Sequence, residues 1–398
     1  MAAFAVATSA RRELVLDPAG PTLDAWHEVL GRRGDQADVE RATTPHALGA
    51  VAFEDLVHAL ATIRLARRRP ARVVSSTHDH HNGAMAGRFA PSPTGELHVG
   101  NLRTALAAWA AARSTGRRFI VRMEDLDRVT SSPEHEARQL ADLAEVGIDW
   151  DGPVVRQSDR FDRYRAVIDR LRDEGRVYEC YCTRREIREE IENAAAAPHR
   201  HLPDGAYPGT CRDLSDAERS RRRAAGRRPA LRLRTDGEII TIDDRIAGRY
   251  EGAVDDVVLA RADGVPAYNL AVVVDDIAQG VTQVVRGDDL LSSTPRQVLL
   301  HRLVGADVPE YWHVPLVLGE DGQRLAKRHG AVTLADLAAI GVDAGAVRAS
   351  LLDSLGVDGG RTGGEGLVAS RVPREPLRLA DLGLPAPDGK NSDPETGS

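Results

Sequence analysis

The stretch RFAPSPTGELHVGN, residues 88–101, decides the fold that we predict for this chain. It joins a short strand, predicted over residues 87–90, to a helix predicted over residues 101–114. A parallel strand that feeds a tight loop and then a helix aims free N–H groups and a positive dipole end at an anion above the sheet. Proline stiffens the loop, while Gly95 and Gly100 let a ligand approach the backbone closely. The stretch therefore predicts a phosphate-binding corner.

The composition indicates a globular protein with more than one domain. The chain has 398 residues, 42% of them hydrophobic and only 4% aromatic, so aliphatic side chains must fill the interior. The longest apolar runs are strand-sized, and we predict no membrane-spanning helix. The first residues, MAAFAVATSARR, lack the basic region that precedes the apolar part of a secretory signal, so we expect a cytoplasmic protein.

Predicted strands and helices alternate from Met85 onward, which indicates an α/β fold with parallel strands. The predicted strands cover residues 87–90, 117–123, 267–274 and 314–318, and the predicted helices cover residues 101–114, 133–146, 159–174 and 294–303. The predicted parts are an N-terminal extension over residues 1–84, a first half-domain over 85–175, an insertion over 176–262, a second half-domain over 263–330, a short helical region over 331–358 and a disordered tail over 359–398. Met85 is a credible alternative start.

A second motif, GEDGQRLAKRHGA, covers residues 319–331 and follows a predicted strand. It places Arg324, Lys327 and Arg328 in one short loop, where cations suit a polyphosphate. Lysine occurs only at Lys327 and Lys390, so the only lysine of the predicted folded body stands in this loop. Taken alone, the loop is better explained as a solvated basic turn.

Together the two motifs resemble the signatures of class I aminoacyl-tRNA synthetases. HVGN at residues 98–101 resembles the HIGH element, and RLAKR at residues 324–328 resembles the KMSKS element. The flanking blocks GRFAPSPTGELHVGN, VRMEDLDR, YNLAVVVDD and VVRGDDLLSSTPRQ look like the glutamate branch of that class. The resemblance runs from about Gly87 to Leu355, and it implies a Rossmann-like catalytic domain with an insertion of the acceptor-binding type.

Within this branch the residues favour the shortened members, which lack the anticodon-binding region and attach glutamate to the queuosine base of tRNA(Asp). Only 71 residues follow Lys327, too few for that region. Val272 stands where full-length members are expected to carry an amide side chain. The resemblance therefore implies ATP, L-glutamate and queuosine-containing tRNA(Asp) as partners, Mg²⁺ with the ATP, and a monomer. The loop departs from the usual pattern at Arg324, Ala326 and Arg328.

The three cysteines, Cys180, Cys182 and Cys211, cannot make a paired disulfide framework, and their clustering indicates a local metal site or ordinary thiols. Three thiolates at tetrahedral geometry suit one structural zinc ion. Residue chemistry alone nominates His199 or His201 as the fourth ligand, whereas the resemblance favours Tyr207, which we adopt. His201 stays an alternative, because the loop before Tyr207 is longer than expected for the shortened members.

The resemblance also implies the residues that bind the reactants. The α-carboxylate of glutamate attacks the α-phosphorus of ATP, so the site must hold two anions together and stabilise growing phosphoryl charge. Catalysis is assigned to His98 and Lys327, ATP binding to His98, Gly100, Asn101, Arg324 and Lys327, and glutamate binding to Arg88, Phe89, Ala90, Pro91, Ser92, Glu124, Tyr268 and Arg286. Arginine pairs both oxygens of the side-chain carboxylate, and Glu124 is matched to the ammonium.

Other functions stay open at this point. A truncated glutamate enzyme that charges the tRNA 3′ end would share these blocks. The altered RLAKR loop and the long N-terminal extension are also compatible with a noncatalytic tRNA-binding relative. A third alternative is another class I-like nucleotidyltransferase, because several adenylate-forming groups share the His-x-Gly corner.

Overall fold

The structure, a computed structural model, describes residues 85–194, 206–319, 322–323, 325, 332–357 and 366–385. All of them lie within one of the two compact units of the chain, residues 77–398. The predicted N-terminal extension, His199, His201, Arg324 and Lys327 lie outside the described residues. Within the described ranges, no helix is long and apolar enough to cross a membrane.

A five-stranded parallel sheet forms the centre of the described unit, as the strand–helix alternation predicted. Its strands are β1 (Ala86–Phe89), β2 (Arg118–Met123), β3 (Val155–Arg156), β9 (Val281–Gly287) and β10 (Glu310–Val314), in the spatial order β10-β9-β1-β2-β3. The strand order reverses between β1 and β9. Parallel sheets bind ligands in the crevice outside the carboxyl ends of strands at such a reversal point, so this edge is where a site is expected.

Helix α1 (Val99–Ser114) packs very close to β1. A Cβ atom at Gly87 would lie 2.9 Å from the Cβ of Ala112, so only glycine fits there without a shift. The buried face of α1 is rich in alanine, which allows this approach and explains how a chain with few aromatic residues fills its core. The remaining helices around the sheet are α2 (Pro133–Glu145), α3 (Phe161–Asp173), α6 (Tyr268–Gln279) and α7 (Thr294–Val304).

The strand predicted over residues 267–274 is wrong, because this segment begins helix α6. Its apolar run Leu270–Val274 is buried throughout, since the helix packs against α3, α7 and β9 at once. A helix covered on several sides shows no apolar stripe, and β-branched valines then favour a strand on pattern alone. The helix ends at Gly280, whose φ of 70° is readily adopted only by glycine.

The predicted insertion contains a separate antiparallel arrangement. Strands β4 (Val177–Cys180), β5 (Ala230–Leu233) and β8 (Val258–Ala260) form one sheet, and β6 (Ile239–Asp244) and β7 (Gly248–Ala253) form a hairpin. Helices α4 (Arg184–Ala194) and α5 (Asp216–Ala224) lie between β4 and β5 in sequence. The turn after β6 reaches the central sheet, where Arg245 N donates to Tyr311 O at 3.0 Å.

The expectation of a disordered tail is wrong for residues 366–385. Strand β12 (Leu377–Arg378) pairs in parallel with β11 (Val317–Leu318), and a turn of 3₁₀ helix follows at Leu379–Leu382. Leu367, Val372, Leu379 and Leu382 are buried in the core that α1 also enters. Four separate apolar side chains without periodicity carry no sequence signal. They nevertheless belong to the same buried apolar cluster as residues of helices α8 (Leu334–Ala339) and α9 (Ala344–Asp353).

Candidate active site

A cavity of about 590 Å³ opens at the carboxyl ends of β1 and β9, at the predicted edge of the sheet. Its lining includes every described residue to which the sequence assigns glutamate or ATP binding: Arg88, Phe89, Ala90, Pro91, Ser92, His98, Gly100, Asn101, Glu124, Tyr268 and Arg286. Arg324 and Lys327 are the two assigned residues that the structure does not describe. Four chain segments far apart in sequence, at residues 88–101, 124, 268 and 286, therefore meet around one space.

His98 is the N-cap of α1, and its ring orientation is set by that role. The backbone N–H of Asn101 donates to His98 Nδ1 at 3.3 Å, and Asn101 Oδ1 accepts from His98 N at 3.2 Å. Because Nδ1 accepts, the ring proton belongs on Nε2. A Cβ at Gly100 would lie 3.0 Å from His98 Nδ1, so glycine gives the ring its room.

The described residues on either side of the basic loop lie beside this corner. Val99 N donates to Val332 O at 2.9 Å, and His98 forms a β-bridge with Thr333. On the other side of the loop, Leu325 lines the same cavity as His98. Leu325 and Val332 therefore both lie near the HVGN corner.

A buried ion network lies beneath the cavity, and the sequence analysis missed its central residue, Arg122. Arg122 Nη1 lies 2.8 Å from Asp276 Oδ1, Nη2 lies 3.4 Å from Glu124 Oε1, and Nε lies 3.9 Å from Asp275 Oδ2. Arg88 shares Asp276, with its Nε 3.4 Å from Oδ1. Burial acts to raise the pKa of Asp276, but the charges of Arg88 and Arg122 outweigh it and hold the pKa below its usual value. The acidic pair that ends the apolar run in YNLAVVVDD was the available signal.

Glu124 responds differently to the same surroundings. Burial raises the pKa of its carboxyl above the usual value, and the attraction of Arg122 and Arg88 only partly offsets that effect. Burial destabilises the ionised carboxylate, so an added positive charge in the cavity would stabilise it. The ionised form of Glu124 would therefore be stabilised by a cation bound in the cavity.

Arg286 is held by neutral groups alone among the described residues. Its Nη1 donates to Gln297 Oε1 at 2.8 Å, its Nη2 donates to Thr294 Oγ1 at 2.8 Å, and its Nε donates to His313 Nε2 at 3.0 Å. The side chain is 5% exposed and lies over the Tyr311 ring, 5.3 Å from its centroid. Its charge is therefore oriented without being neutralised, which suits recognition of a bound carboxylate.

Three thiols and one phenol converge in the insertion. Cys182 Sγ lies 3.4 Å from Cys211 Sγ, and the Tyr207 hydroxyl oxygen lies 3.3 Å from Cys180 Sγ and 3.6 Å from Cys182 Sγ. The three sulfur atoms lie within 4.8 Å of one another. Tetrahedral zinc would hold two sulfurs about 3.8 Å apart and a sulfur and an oxygen about 3.5 Å apart. The four side chains have the spacing of a closed metal site.

The comparisons with known proteins agree with this geometry. Residues 84–357 match the family of class I tRNA synthetases (E and Q), catalytic domain. A glutamyl-Q tRNA(Asp) synthetase of Nocardia farcinica is 62% identical over 305 residues, which cover 76% of this chain and 95% of that protein. The chain belongs to the glutamyl-Q tRNA(Asp) synthetases. A second glutamyl-Q tRNA(Asp) synthetase, from Symbiobacterium thermophilum, is 49% identical over 74% of this chain and 96% of its own length.

A solved structure also resembles this member of the glutamyl-Q tRNA(Asp) synthetases. It is a glutamate tRNA ligase from Elizabethkingia meningosepticum in complex with its amino acid, with 31% identity and a TM-score of 0.53. The similarity covers 62% of this chain and 52% of that one, so this chain spans about half the length of the ligase. Family membership makes the chain a ligase of the class I tRNA synthetase type, whose reactants are ATP with Mg²⁺, an amino acid and tRNA.

Proposed function

We propose that the chain activates L-glutamate with ATP to glutamyl-adenylate and transfers the glutamate to the queuosine base of tRNA(Asp). The observation that carries this proposal is the cavity in which the oriented charge of Arg286 faces the same space as the His98 corner. The choice of queuosine and tRNA(Asp) is supported by the names of the two relatives that match almost their whole length.

In this proposal the glutamate lies between Arg286 and Glu124. Arg286 and Arg88 pair with the side-chain carboxylate, and neutral glutamine is rejected because it leaves the charge of Arg286 unpaired. Glu124 binds the ammonium, which supplies the positive charge that its buried carboxylate demands. Ser92 and Tyr268 complete the pocket through polar contacts, and the remaining lining residues shape its wall: Phe89, Ala90 and Pro91.

ATP then lies across the N-terminus of α1. The dipole end of the helix and the Nε2 donor of His98 face the phosphates, and Gly100 and Asn101 keep the corner open. The α-carboxylate oxygen forms a bond to the α-phosphorus while the bond to the pyrophosphate oxygen breaks, so negative charge moves onto pyrophosphate. Lys327 and Arg324 follow that charge, and Mg²⁺ screens the phosphates.

We also propose one structural zinc ion, bound by Cys180, Cys182, Tyr207 and Cys211. Two features of this chain support the fourth ligand. The Tyr207 oxygen already accepts from Cys211 N at 2.9 Å, and the Arg232 guanidinium lies 3.7 Å from the centroid of the Tyr207 ring, where its charge offsets clustered anions. The ion would hold the segments before α4 and α5 together and contribute folding free energy to the insertion.

Zinc binding is expected at one ion per chain, and Tyr207→Phe should weaken it at least roughly tenfold, because the variant keeps the ring but removes the oxygen. Competition with a chromogenic chelator measures the affinity. Tyr181→Phe is the matched control, since that hydroxyl donates to Glu179 at 2.7 Å and does not touch the cluster. Wild-type affinity in Tyr207→Phe would contradict the assignment, and His201→Ala would then be the variant to lose zinc.

The proposed acceptor is tested with ATP, labelled glutamate and two preparations of tRNA(Asp), one containing queuosine and one without it. Label is expected only on the queuosine-containing tRNA, and nuclease digestion should recover it with that base. Glutamate-dependent pyrophosphate exchange should proceed without tRNA. Label at the 3′ end would instead show a truncated charging enzyme, and absence of exchange would show a noncatalytic relative.

The proposed domain limits follow from the same assignment. Residues 85–175 and 263–330 are the two halves of the catalytic domain, residues 176–262 are the zinc-containing insertion, and residues 331–358 are the short helical region. Residues 1–84 are an N-terminal extension. We expect a monomer in the cytoplasm, in keeping with the lack of a membrane-spanning helix among the described residues.

A further inference from the structure

We propose that His313 and Asp244 are positioning residues for glutamate recognition, because together they keep a hydrogen-bond acceptor aimed at Arg286. The inference rests on the proposed function, since it concerns how Arg286 meets its ligand. Neither residue lines the cavity, so both act through Arg286 rather than by touching the substrate.

The sheet places His313 next to Arg286. The two residues are direct partners in the parallel ladder between β10 and β9, so their side chains lie on the same face. Arg286 Nε lies 3.0 Å from His313 Nε2, and both side chains are buried. A guanidinium nitrogen can only donate, so His313 Nε2 must be the acceptor and the ring proton must be on Nδ1.

Asp244 sets this tautomer from the other side. Its Oδ2 lies 2.6 Å from His313 Nδ1, with both side chains inaccessible to solvent. Its Oδ1 accepts from the backbone N–H groups of Ile246 at 2.9 Å and Ala247 at 2.8 Å. These bonds fix the carboxylate, which in turn fixes the ring with its proton on Nδ1.

The neutrality of His313 keeps the charge of Arg286 available. A carboxylate in its place would orient the guanidinium equally well but would neutralise it, as Asp276 does for Arg122. Burial lowers the pKa of His313 below its usual value, and although Asp244 acts in the opposite direction, the ring stays neutral. His313 therefore orients the Arg286 guanidinium without neutralising its charge.

Asp244 also links the insertion to the central sheet. Asp244 ends β6 in the predicted insertion, whereas Arg286 and His313 belong to the central sheet. The Asp244 carboxylate also accepts from His313 N at 3.1 Å, so it attaches the β6 turn to β10. Correct seating of the insertion hairpin is thus a condition for correct orientation of the glutamate-binding arginine.

Asp244→Asn is the sharpest test, because its geometry forces a change of tautomer. Two backbone N–H groups hold the amide oxygen at the Oδ1 position, so the amide nitrogen must take the Oδ2 position and donate to His313 Nδ1. The ring proton then moves to Nε2, where it opposes the N–H of Arg286. We expect the KM for glutamate in pyrophosphate exchange to rise about 10- to 100-fold, with the KM for ATP within about twofold of wild type.

His313→Phe and His313→Gln form a second, independent pair. Phenylalanine keeps a ring but removes the acceptor, and it should raise the KM for glutamate like Asp244→Asn. Glutamine can present Oε1 near the Nε2 position, and it should keep the KM within about threefold of wild type. The discrimination against glutamine should fall in the phenylalanine variant alone. Melting temperatures recorded in parallel separate a general loss of folding from this selective effect.

Exchange by the wild-type protein distinguishes failure of the proposed function from failure of the positioning role. If wild type shows no glutamate-dependent exchange, the proposed function is wrong. If wild type exchanges and Asp244→Asn leaves the KM for glutamate unchanged, or raises the KM for ATP equally, the positioning role is wrong and the proposed function stands. Nitrogen chemical shifts of the His313 ring give a direct readout, with protonation at Nδ1 expected in wild type and at Nε2 in Asp244→Asn.

Discussion

Arg286→Gln is expected to lower kcat/KM for glutamate by roughly 10⁴-fold in pyrophosphate exchange, because the variant leaves the side-chain carboxylate of bound glutamate without its positively charged partner. The loss should fall mainly on glutamate, with ATP binding little changed. Glutamine as a substrate should lose far less, which would narrow the discrimination between the two amino acids. Steady-state kinetics with both amino acids measures these effects.

The control for this variant is Arg302→Gln, on the helix that follows β9 in sequence. Arg302 lies exposed on α7, whereas Arg286 is 5% exposed on the neighbouring β9. Arg302→Gln should leave exchange unchanged. If Arg286→Gln retains the wild-type kcat/KM for glutamate while remaining folded, Arg286 does not bind the side-chain carboxylate.

Arg122→Met is expected to lower the free energy of unfolding by about 3–5 kcal/mol, because it removes the positive charge that three buried carboxylates share. Arg122 is inaccessible to solvent and contacts Asp276, Glu124 and Asp275. Asp276 would then keep its ion pair with Arg88, at 3.4 Å, and Asp275 would keep its shorter contact to Arg160, at 2.6 Å. Urea unfolding followed by circular dichroism measures the loss.

A surface ion pair provides the comparison. Arg185 lies 3.6 Å from Glu189 on α4 with 79% of its side chain exposed, and Arg185→Met should change the free energy of unfolding by less than about 1 kcal/mol. Arg122→Lys keeps a charge but loses the planar fork, so its loss should be intermediate. Equal stability of Arg122→Met and Arg185→Met would show that the buried network does not stabilise the fold.

The part of the fold nearest the opening motif was predictable because its rules are local. Residues 87–90 and 101–114 were predicted as strand and helix, and the structure has them at Ala86–Phe89 and Val99–Ser114. The helix begins two residues earlier than predicted because His98 is its N-cap, and histidine is not among the residues usually expected at that position. The proline-stiffened loop between them leads directly into the cavity.

Prediction failed where burial comes from several neighbours at once. Residues 267–274 resemble a strand because every position of Leu270–Val274 is apolar, and only packing on several sides makes that composition suit a helix. Residues 366–385 look disordered because their four buried side chains are scattered. In both segments the deciding contacts come from residues distant in sequence, which no local pattern records.

The sequence by itself determined the family, the α/β class and eleven of the residues that line the cavity, because the motifs that identify them are contiguous along the chain. Only the tertiary structure decided which of three buried arginines keeps a charge that is not compensated by a carboxylate. Arg122 is neutralised by carboxylates, Arg88 shares one of them, and Arg286 is held by neutral acceptors. The reason is physical: an arginine's charge is available to a ligand only if its folded surroundings leave it uncompensated, and those surroundings are assembled from separate strands and helices.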